Sequence, residues 1–304
     1  MTTRPIKIEG VIPALASPCD ENDCFLEDKF VNLISHLYSQ GVHGVYVCGA
    51  TGDGYNMRLE ERKRAAELAV EVSREYGGLA ILHIGCYNTR DAVELAEHAA
   101  HIEADAVASI PPVNRTFEQV MSYYTDVAKA AQLPTLIYQV PLLSHLHLTV
   151  EDMLRLLDIE GVTGMKYTDW NLFIVKRLMM ARPDITILNG FDEVFCLSLI
   201  NGAHGGVGTS YNLFPVLYVK IYNAVKAGNI ARAMELQNIF LAFVEKWHKN
   251  GYRAVFEYLM RRKGYGDHFF RRPRETMDPE LLRNIEPELD RHIADIEAAI
   301  HAVP

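Results

Sequence analysis

Short apolar segments alternate with longer amphipathic segments along most of this chain. Eight apolar runs of strand length recur at regular intervals, and each is followed by a segment with the 3.6-residue period of a helix. The predicted strands cover Gly10–Ser17, Val42–Gly49, Leu79–Cys86, Asp105–Pro111, Pro134–Pro141, Val162–Thr168, Ile185–Gly190 and Ala203–Gly208.

The segments between these runs carry helix signals. Leu59–Tyr76 and Asp91–Glu103 place apolar residues on one face and charged residues on the other. Thr149 with Asp152 has the spacing of a capping pair at a helix start. Eight strand–helix units in succession predict a parallel α/β fold, and eight parallel strands close a (β/α)₈ TIM barrel. An open doubly wound sheet is the alternative, which the regular spacing disfavours.

The pattern changes after the eighth unit. From about residue 230 onward the period is helical and no further strand is indicated. We therefore predict two parts, a barrel catalytic domain over residues 1–229 and a C-terminal helical bundle over residues 230–304 that packs on the barrel.

Composition narrows the function classes. The 304 residues are 49% hydrophobic and 23% charged, with a net charge of −9 and no long run of either sign. An acidic chain without a basic stripe predicts no nucleic-acid partner. No apolar run reaches the roughly 20 residues of a membrane helix, so no membrane partner is expected. Five cysteines without a C-x-x-C pair, together with an N-terminus that lacks a secretory h-region, favour a reducing cytoplasm.

The ends of the predicted strands hold the candidate chemistry, because barrel active sites form at the carboxyl ends of the strands. Lys166 falls late in the sixth strand, where burial would lower its pKa and expose a neutral, nucleophilic amine. A lysine that extends to solvent or pairs with Asp169 is the alternative. Tyr138 falls late in the neighbouring fifth strand and could move the protons that imine chemistry requires, or could simply be a packed aromatic.

Two further strand ends suggest substrate contacts. The glycine-rich loop around Thr51 can direct backbone N–H groups at a carboxylate, although a tight turn explains the glycines equally well. Asp192 and Glu193 follow the seventh strand, where they could accept hydrogen bonds from sugar hydroxyls or cap the next helix. The segment Gly205–Ser210 could instead form a phosphate cup, as phosphosugar barrels have.

Five motifs in this order resemble the dihydrodipicolinate synthase/N-acetylneuraminate lyase family of class I aldolases. They are GATGDGYNMRLEER, IYQVP, GMKYTDWNLF, LNGFDEVF and GGVGTSYN. The resemblance implies that Lys166 forms a Schiff base with a 2-oxo acid, that Tyr138 is the general acid/base, and that no metal or organic cofactor is needed. It also implies a homotetramer.

The resemblance further assigns substrate contacts. Ala50, Thr51 and Gly208 would surround the carboxylate of pyruvate. The positions that hold the polyhydroxy tail of a sialic acid in the lyase branch correspond to Thr168, Gly190, Asp192, Glu193 and Thr209. Leu143 stands where the synthase branch usually has an arginine that grips a second carboxylate, so the lyase branch is the closer match. The expected reaction is cleavage of a 3-deoxy-2-oxo sugar acid, N-acetylneuraminate, to pyruvate and N-acetylmannosamine.

The chain departs from the family pattern at two places. Ala50 stands where a serine or threonine is common, and Pro112-Val113 stand where many members place a tyrosine that reaches the neighbouring subunit's site. Both changes remove hydroxyls from the usual proton relay, so water or Thr51 would have to substitute. They leave open a 2-keto-3-deoxy sugar-acid dehydratase or aldolase, and a barrel that binds a sugar acid without turnover.

Overall fold

A computed structural model describes residues 7–275 and 277–302 of the chain. Its parallel strands follow one another around a barrel in sequence order. The strands are β1 Gly10–Pro13, β2 Gly44–Val47, β3 Leu79–His83, β4 Ala106–Ser109, β5 Thr135–Gln139, β6 Val162–Tyr167, β7 Thr186–Asn189 and β8 Gly205–Gly208. All eight predicted strands are therefore confirmed, and each is shorter than predicted.

Helices connect the strands and extend beyond the last one. They are α1 Glu27–Ser39, α2 Leu59–Tyr76, α3 Thr89–His101, α4 Phe117–Ala131, α5 Pro141–Ser144, α6 Val150–Leu157, α7 Leu172–Ala181, α8 Phe195–Ile200, α9 Pro215–Lys226, α10 Ile230–Lys249, α11 Tyr252–Arg262 and α12 Pro279–His301. Helix α2 has the predicted bounds. Thr149 and Asp152 form the predicted reciprocal cap of α6, where each side chain accepts a hydrogen bond from the other's backbone N–H.

The strand order identifies the architecture as a nearly closed TIM barrel rather than an open doubly wound sheet. Strand β1 pairs with β8 through a continuous parallel register. Between β1 and β2, a bridge pairs Ala14 with Tyr46, and the Leu15 N–H donates to the Tyr46 carbonyl at 2.9 Å. The predicted fold class is thus confirmed.

Strand alternation separates two apolar cores. Side chains that point outward, such as Met165 and Tyr167, pack against the helices. Side chains that point inward fill the barrel and include Ile12, Tyr46, Leu136, Tyr138 and Leu188. Lys166 lies between Met165 and Tyr167, so the two-residue period directs its side chain into the barrel interior.

The helices after β8 extend the structure. Helices α10 and α12 pack on each other, and α10 packs on α9 of the barrel. The division of the chain at residue 230 into two domains stays a prediction. In the described ranges, no helix is long and apolar enough to cross a membrane.

Candidate active site

Lys166 lies at the centre of the candidate site. Strands β5 and β6 pair Tyr138 with Lys166 in register, which brings their side chains together. The Lys166 amine lies 3.8 Å from the centre of the Tyr138 ring and 4.5 Å from that of Tyr46. The side chain is buried, so its amine is largely desolvated.

Burial changes the ionisation of this amine. It lowers the pKa of Lys166 to about 7, and the nearby Asp192 carboxylate opposes the shift. About half of the amine is therefore neutral near pH 7, whereas an exposed lysine would be almost fully protonated. The alternative of a surface lysine paired with Asp169 is wrong, because Lys166 is 3% exposed and Asp169 accepts from the Asn171 backbone N–H instead.

Tyr138 is buried beside the amine. Burial raises the pKa of its phenol, and the neighbouring Thr168 hydroxyl partly opposes the rise. The Thr168 hydroxyl oxygen is itself buried and has no hydrogen-bond partner within the described residues. Tyr138 is thus a neutral proton donor at physiological pH, with a hydroxyl next to it.

Asp192 is held by the loop after β8. Its Oδ2 accepts hydrogen bonds from the Ser210 backbone N–H at 2.8 Å and from the Ser210 hydroxyl at 2.5 Å. Burial and the adjacent Glu193 raise the pKa of Asp192 to about 7, against the effect of the Ser210 bonds. Because the Ser210 N–H already donates to a carboxylate, the phosphate-cup interpretation of Gly205–Ser210 is disfavoured.

Two glycines allow these side chains to approach the backbone. A methyl group at Gly190 would clash with the Thr168 hydroxyl, and one at Gly208 would clash with the Asp192 carboxylate. Neither position can therefore carry a larger residue without moving a polar group of the site.

The threonines of two neighbouring loops form a pair. The Thr51 and Thr209 hydroxyl oxygens lie 2.6 Å apart, so one donates to the other. This bond joins the glycine-rich loop after β2 to the loop after β8. It leaves the pair with one hydroxyl proton to offer a ligand.

A cavity of about 570 Å³, the main cavity, contains these groups. The predicted site residues that line it are Ala50, Thr51, Tyr138, Lys166, Thr168, Gly190, Asp192, Glu193 and Thr209. Gly208 lies behind the wall, against Asp192. The fold therefore collects the predicted residues around one cavity, while their individual roles stay predictions.

Several residues of the site were missed by the sequence reasoning. Tyr46 contacts the amine from β2, and its inward position could have been read from strand alternation. Trp247, His248 and Tyr252 reach the main cavity from α10 and α11. No local signal marks them, because helices outside the barrel pattern bring them there.

The contact between His248 and Glu193 joins the C-terminal helices to the site. The His248 Nε2 lies 3.3 Å from a Glu193 oxygen. Burial raises the pKa of Glu193 and lowers that of His248. In residues 7–275 and 277–302, no group of three or more His, Cys, Asp or Glu side chains is placed to hold a metal ion.

Comparisons with known proteins agree on one family for this chain. The sequence profile of the dihydrodipicolinate synthetase family matches residues 7–291. The N-acetylneuraminate lyase of Enterobacter sp. strain 638 is 31% identical over 236 residues, which are 76% of this chain and 79% of that protein. The lyase of Salmonella typhimurium is 32% identical over 76% of this chain and 78% of its own length.

A solved structure agrees with these sequence relatives. The wild-type sialic acid aldolase of Ruminococcus gnavus superposes with a TM-score of 0.89 at 27% identity, covering 96% of this chain and 99% of that one. A second structure of that aldolase is described as a catalytic lysine mutant.

Proposed function

The chain belongs to the dihydrodipicolinate synthetase family, and from that premise we propose that it cleaves N-acetylneuraminate to pyruvate and N-acetylmannosamine through a Schiff base on Lys166. It is a carbon–carbon lyase of the pyruvate-dependent class I aldolase type. The observation that carries the Schiff-base proposal is the buried Lys166 amine, whose pKa is lowered to about 7, beside the Tyr138 phenol.

The reaction starts with attack on a ketone. The neutral Lys166 amine adds to C2 of the open-chain 2-oxo acid and forms a carbinolamine. Tyr138 donates a proton to the departing hydroxyl, so that water leaves and a protonated imine remains. The low pKa of Lys166 supplies the neutral amine that this step consumes.

Bond cleavage follows from the imine. As the C3–C4 bond breaks, its electrons move toward the positively charged nitrogen, and the C4 hydroxyl gives up its proton to become the aldehyde. We assign acceptance of this proton to the Tyr138 oxygen, which lost its own proton in the previous step. The enamine then takes a proton at C3, and water hydrolyses the resulting imine to release pyruvate and restore the amine.

The polar groups of the main cavity suit a hydroxylated acid. We propose that the Thr51–Thr209 pair and the loop at Ala50 bind the carboxylate of the 2-oxo acid, with Gly208 supporting that wall. Thr168, Gly190, Asp192 and Glu193 would bind the polyhydroxy tail, because carboxylate and carbonyl oxygens accept hydrogen bonds from sugar hydroxyls. Leu143 offers no charge for a second carboxylate at the fifth-strand loop.

One observation favours a second candidate. Ala50 places a methyl group where the family commonly has a hydroxyl, which removes one hydroxyl from the cavity that Tyr138 also lines. A 2-keto-3-deoxy sugar-acid dehydratase or aldolase would use the same imine with a different proton path. A sugar-acid sensor without turnover is the weaker alternative, since binding alone has no need of a buried amine beside a phenol.

We also propose that the protein works as a homotetramer in the cytoplasm. Large apolar side chains are exposed on one stretch around α7, among them Trp170, Phe173 and Met180. Exposed apolar clusters of this kind are typical of subunit interfaces. The cytoplasmic location is supported by a separate observation: all five cysteines are free thiols, as a reducing compartment favours. Light scattering of the purified protein tests the homotetramer. We expect the mass of a tetramer, and the mass of a monomer would contradict the proposal.

Borohydride trapping tests the mechanism. Protein mixed with pyruvate and sodium borohydride should gain one reduced pyruvyl group, which peptide mapping should place on Lys166. A folded Lys166→Arg variant is the matched control and should remain unmodified. Absence of the adduct in folded wild-type protein, or an adduct elsewhere, contradicts the Schiff-base proposal.

Substrate assays then separate the candidates. Pyruvate release from N-acetylneuraminate is the expected activity, and 2-keto-3-deoxygluconate serves as the comparison substrate. Turnover of 2-keto-3-deoxygluconate alone would favour the dehydratase or aldolase. An adduct without turnover of either acid would contradict the substrate assignment.

A further inference from the structure

Gln237 is a buried polar side chain on α10 that the mechanism does not use. It is 1% exposed, and all the other buried residues of that helix are hydrophobic. Burial of an amide is unfavourable unless its donor and its acceptor both form hydrogen bonds. The hydrogen bonds of Gln237 therefore indicate what its side chain contributes.

Both ends of the Gln237 amide bind the backbone of one short segment. Its Nε2 donates to the Asp192 carbonyl at 3.1 Å, and its Oε1 accepts from the Cys196 N–H at 3.0 Å. A carbonyl on one side and an N–H on the other require a group that both donates and accepts, as a glutamine amide does. The side chain thus joins the two ends of the turn from Asp192 to Cys196.

This turn has no cap from its own residues. A single 3₁₀ turn over Asp192–Val194 leads into α8, and Val194, the residue before α8, forms no side-chain capping bond. The Cys196 N–H lies in the first turn of α8, where a helix has no internal acceptor. Gln237, 41 residues later in the chain, supplies that acceptor.

A second residue of α10 contacts the same turn. Gln237 and His248 are about three helical turns apart, so they lie on one face of α10. The His248 Nε2 lies 3.3 Å from a carboxylate oxygen of Glu193. Helix α10 therefore holds both the backbone of the turn and the Glu193 side chain, whereas Ser210 holds the Asp192 carboxylate.

We propose that Gln237 is a positioning residue that holds the turn from α10, so that Asp192 and Glu193 present their carboxylates to the polyhydroxy tail of the substrate. This inference rests on the proposed function, in which these two side chains bind that tail. Gln237 is buried behind them and acts through the backbone of the turn. The 2-oxo acid end of the substrate meets Lys166 and Thr51 on other strands and loops, so loss of Gln237 should affect the two ends differently.

Gln237→Met tests this difference, because it removes both hydrogen bonds and keeps the length of the side chain. We expect KM for N-acetylneuraminate to rise about tenfold, the effect of weakened hydrogen bonding to charged groups, and kcat to change much less. The pyruvate concentration that gives half-maximal borohydride trapping on Lys166 should not change. An unchanged KM, or an equal loss of affinity for both ligands, overturns the proposal.

Gln237→Glu provides a rescue by the conservative variant. A neutral carboxyl group can donate to the Asp192 carbonyl and accept from the Cys196 N–H, whereas a carboxylate has no proton to donate. Burial favours the neutral form, and a lower pH favours it further. The ratio of variant to wild-type KM should therefore be close to one at pH 6. A ratio as high as that of Gln237→Met at both pH 6 and pH 8 overturns the proposal.

Leu236→Ala is the matched control for a loss of stability. Leu236 is the neighbouring buried residue of α10, and its truncation leaves a cavity in the core. Leu236→Ala should lower the urea midpoint of unfolding at least as much as Gln237→Met and should leave KM near that of the wild type. An equal rise in KM in both variants would assign the effect to a general loosening of α10 and would overturn the proposal.

Hydrogen exchange separates failure of this inference from failure of the proposed function. The Cys196 N–H donates to Gln237, so the peptide that contains Cys196 should exchange faster in Gln237→Met without any substrate present. Unchanged exchange overturns the inference, whichever acid the enzyme cleaves. Absence of the pyruvyl adduct on Lys166 overturns the Schiff-base function alone. If 2-keto-3-deoxygluconate is the substrate, the KM comparison is made with that acid.

Discussion

The amine of Lys166 lies 3.8 Å from the centre of the Tyr138 ring, because the register of β5 and β6 pairs the two residues. The contact places a nucleophile and a proton donor on adjacent strands, and both side chains point into the same cavity. Rigid strands, rather than loops, thus hold both groups, which favours a fixed reacting geometry.

The pH dependence of imine formation follows from Lys166. Its pKa is lowered to about 7, so the neutral amine increases as the pH rises through 7. We expect the rate of borohydride-trapped adduct formation with pyruvate to rise about tenfold from pH 6 to pH 8 and then level off. A rate that continues to climb to pH 10 would indicate an ordinary, solvated lysine.

Replacement of the lysine should separate stability from activity. A lysine whose folded pKa lies below its unfolded value destabilises the fold, fully below about pH 7 and progressively less toward pH 10.5. Lys166→Met should therefore abolish turnover and increase the free energy of unfolding by about 2 kcal/mol at pH 7.

Urea denaturation at two pH values measures this effect. The gain in the Met variant should be smaller at pH 10 than at pH 7, since the wild-type amine is then neutral in more of the unfolded chains. A variant that is less stable than the wild type at pH 7 would contradict the argument.

Removal of the Tyr138 hydroxyl should slow the chemistry without preventing binding. Tyr138→Phe keeps the ring that packs against Lys166 but has no proton to transfer. We expect kcat to fall about 10²- to 10³-fold, with KM changed much less. Steady-state pyruvate release measures both constants, and a kcat near that of the wild type would move the acid/base role to another group.

The pKa of the Asp192 carboxyl group should depend on Ser210. The Ser210 hydroxyl bond lowers the pKa of Asp192 against burial and Glu193, which raise it to about 7. Ser210→Ala removes that hydroxyl bond but keeps the backbone N–H bond, so the pKa of Asp192 should rise further. KM for the sugar acid should therefore increase most between pH 6 and pH 8. A uniform change at all pH values would assign Ser210 a purely structural role.

The Thr51–Thr209 contact should affect the 2-oxo acid end of the substrate. Thr51→Val keeps the size of the side chain but removes a hydroxyl that lies 2.6 Å from Thr209. We expect the apparent affinity for pyruvate to fall about tenfold, the effect of one lost hydrogen bond to a charged group. Thr51→Ser is the matched control and should retain most of the affinity.

Much of the fold could be predicted from the pattern of apolar residues. The apolar runs of strand length located every strand, and the helical period gave the bounds of α2. The first strand shows why strand ends were extended too far. Ala16 and Ser17 are buried, yet they lie beyond β1 and beyond the parallel hydrogen bonds that Ala14 and Leu15 still make to the neighbouring strands. Burial persists past the last strand hydrogen bonds, so apolar composition could not reveal the strand end.

The sequence by itself determined which faces are buried and where the chemically active side chains stand along their strands. Lys166, Tyr138 and Asp192 could be found in this way, because position along a strand is local information. Only the tertiary structure decided that Tyr46 contacts the amine, that α10 and α11 close the main cavity, and that Gln237 binds the backbone of Asp192. Those contacts join segments up to about two hundred residues apart, and a periodic pattern shows that a face is buried without showing which other face covers it.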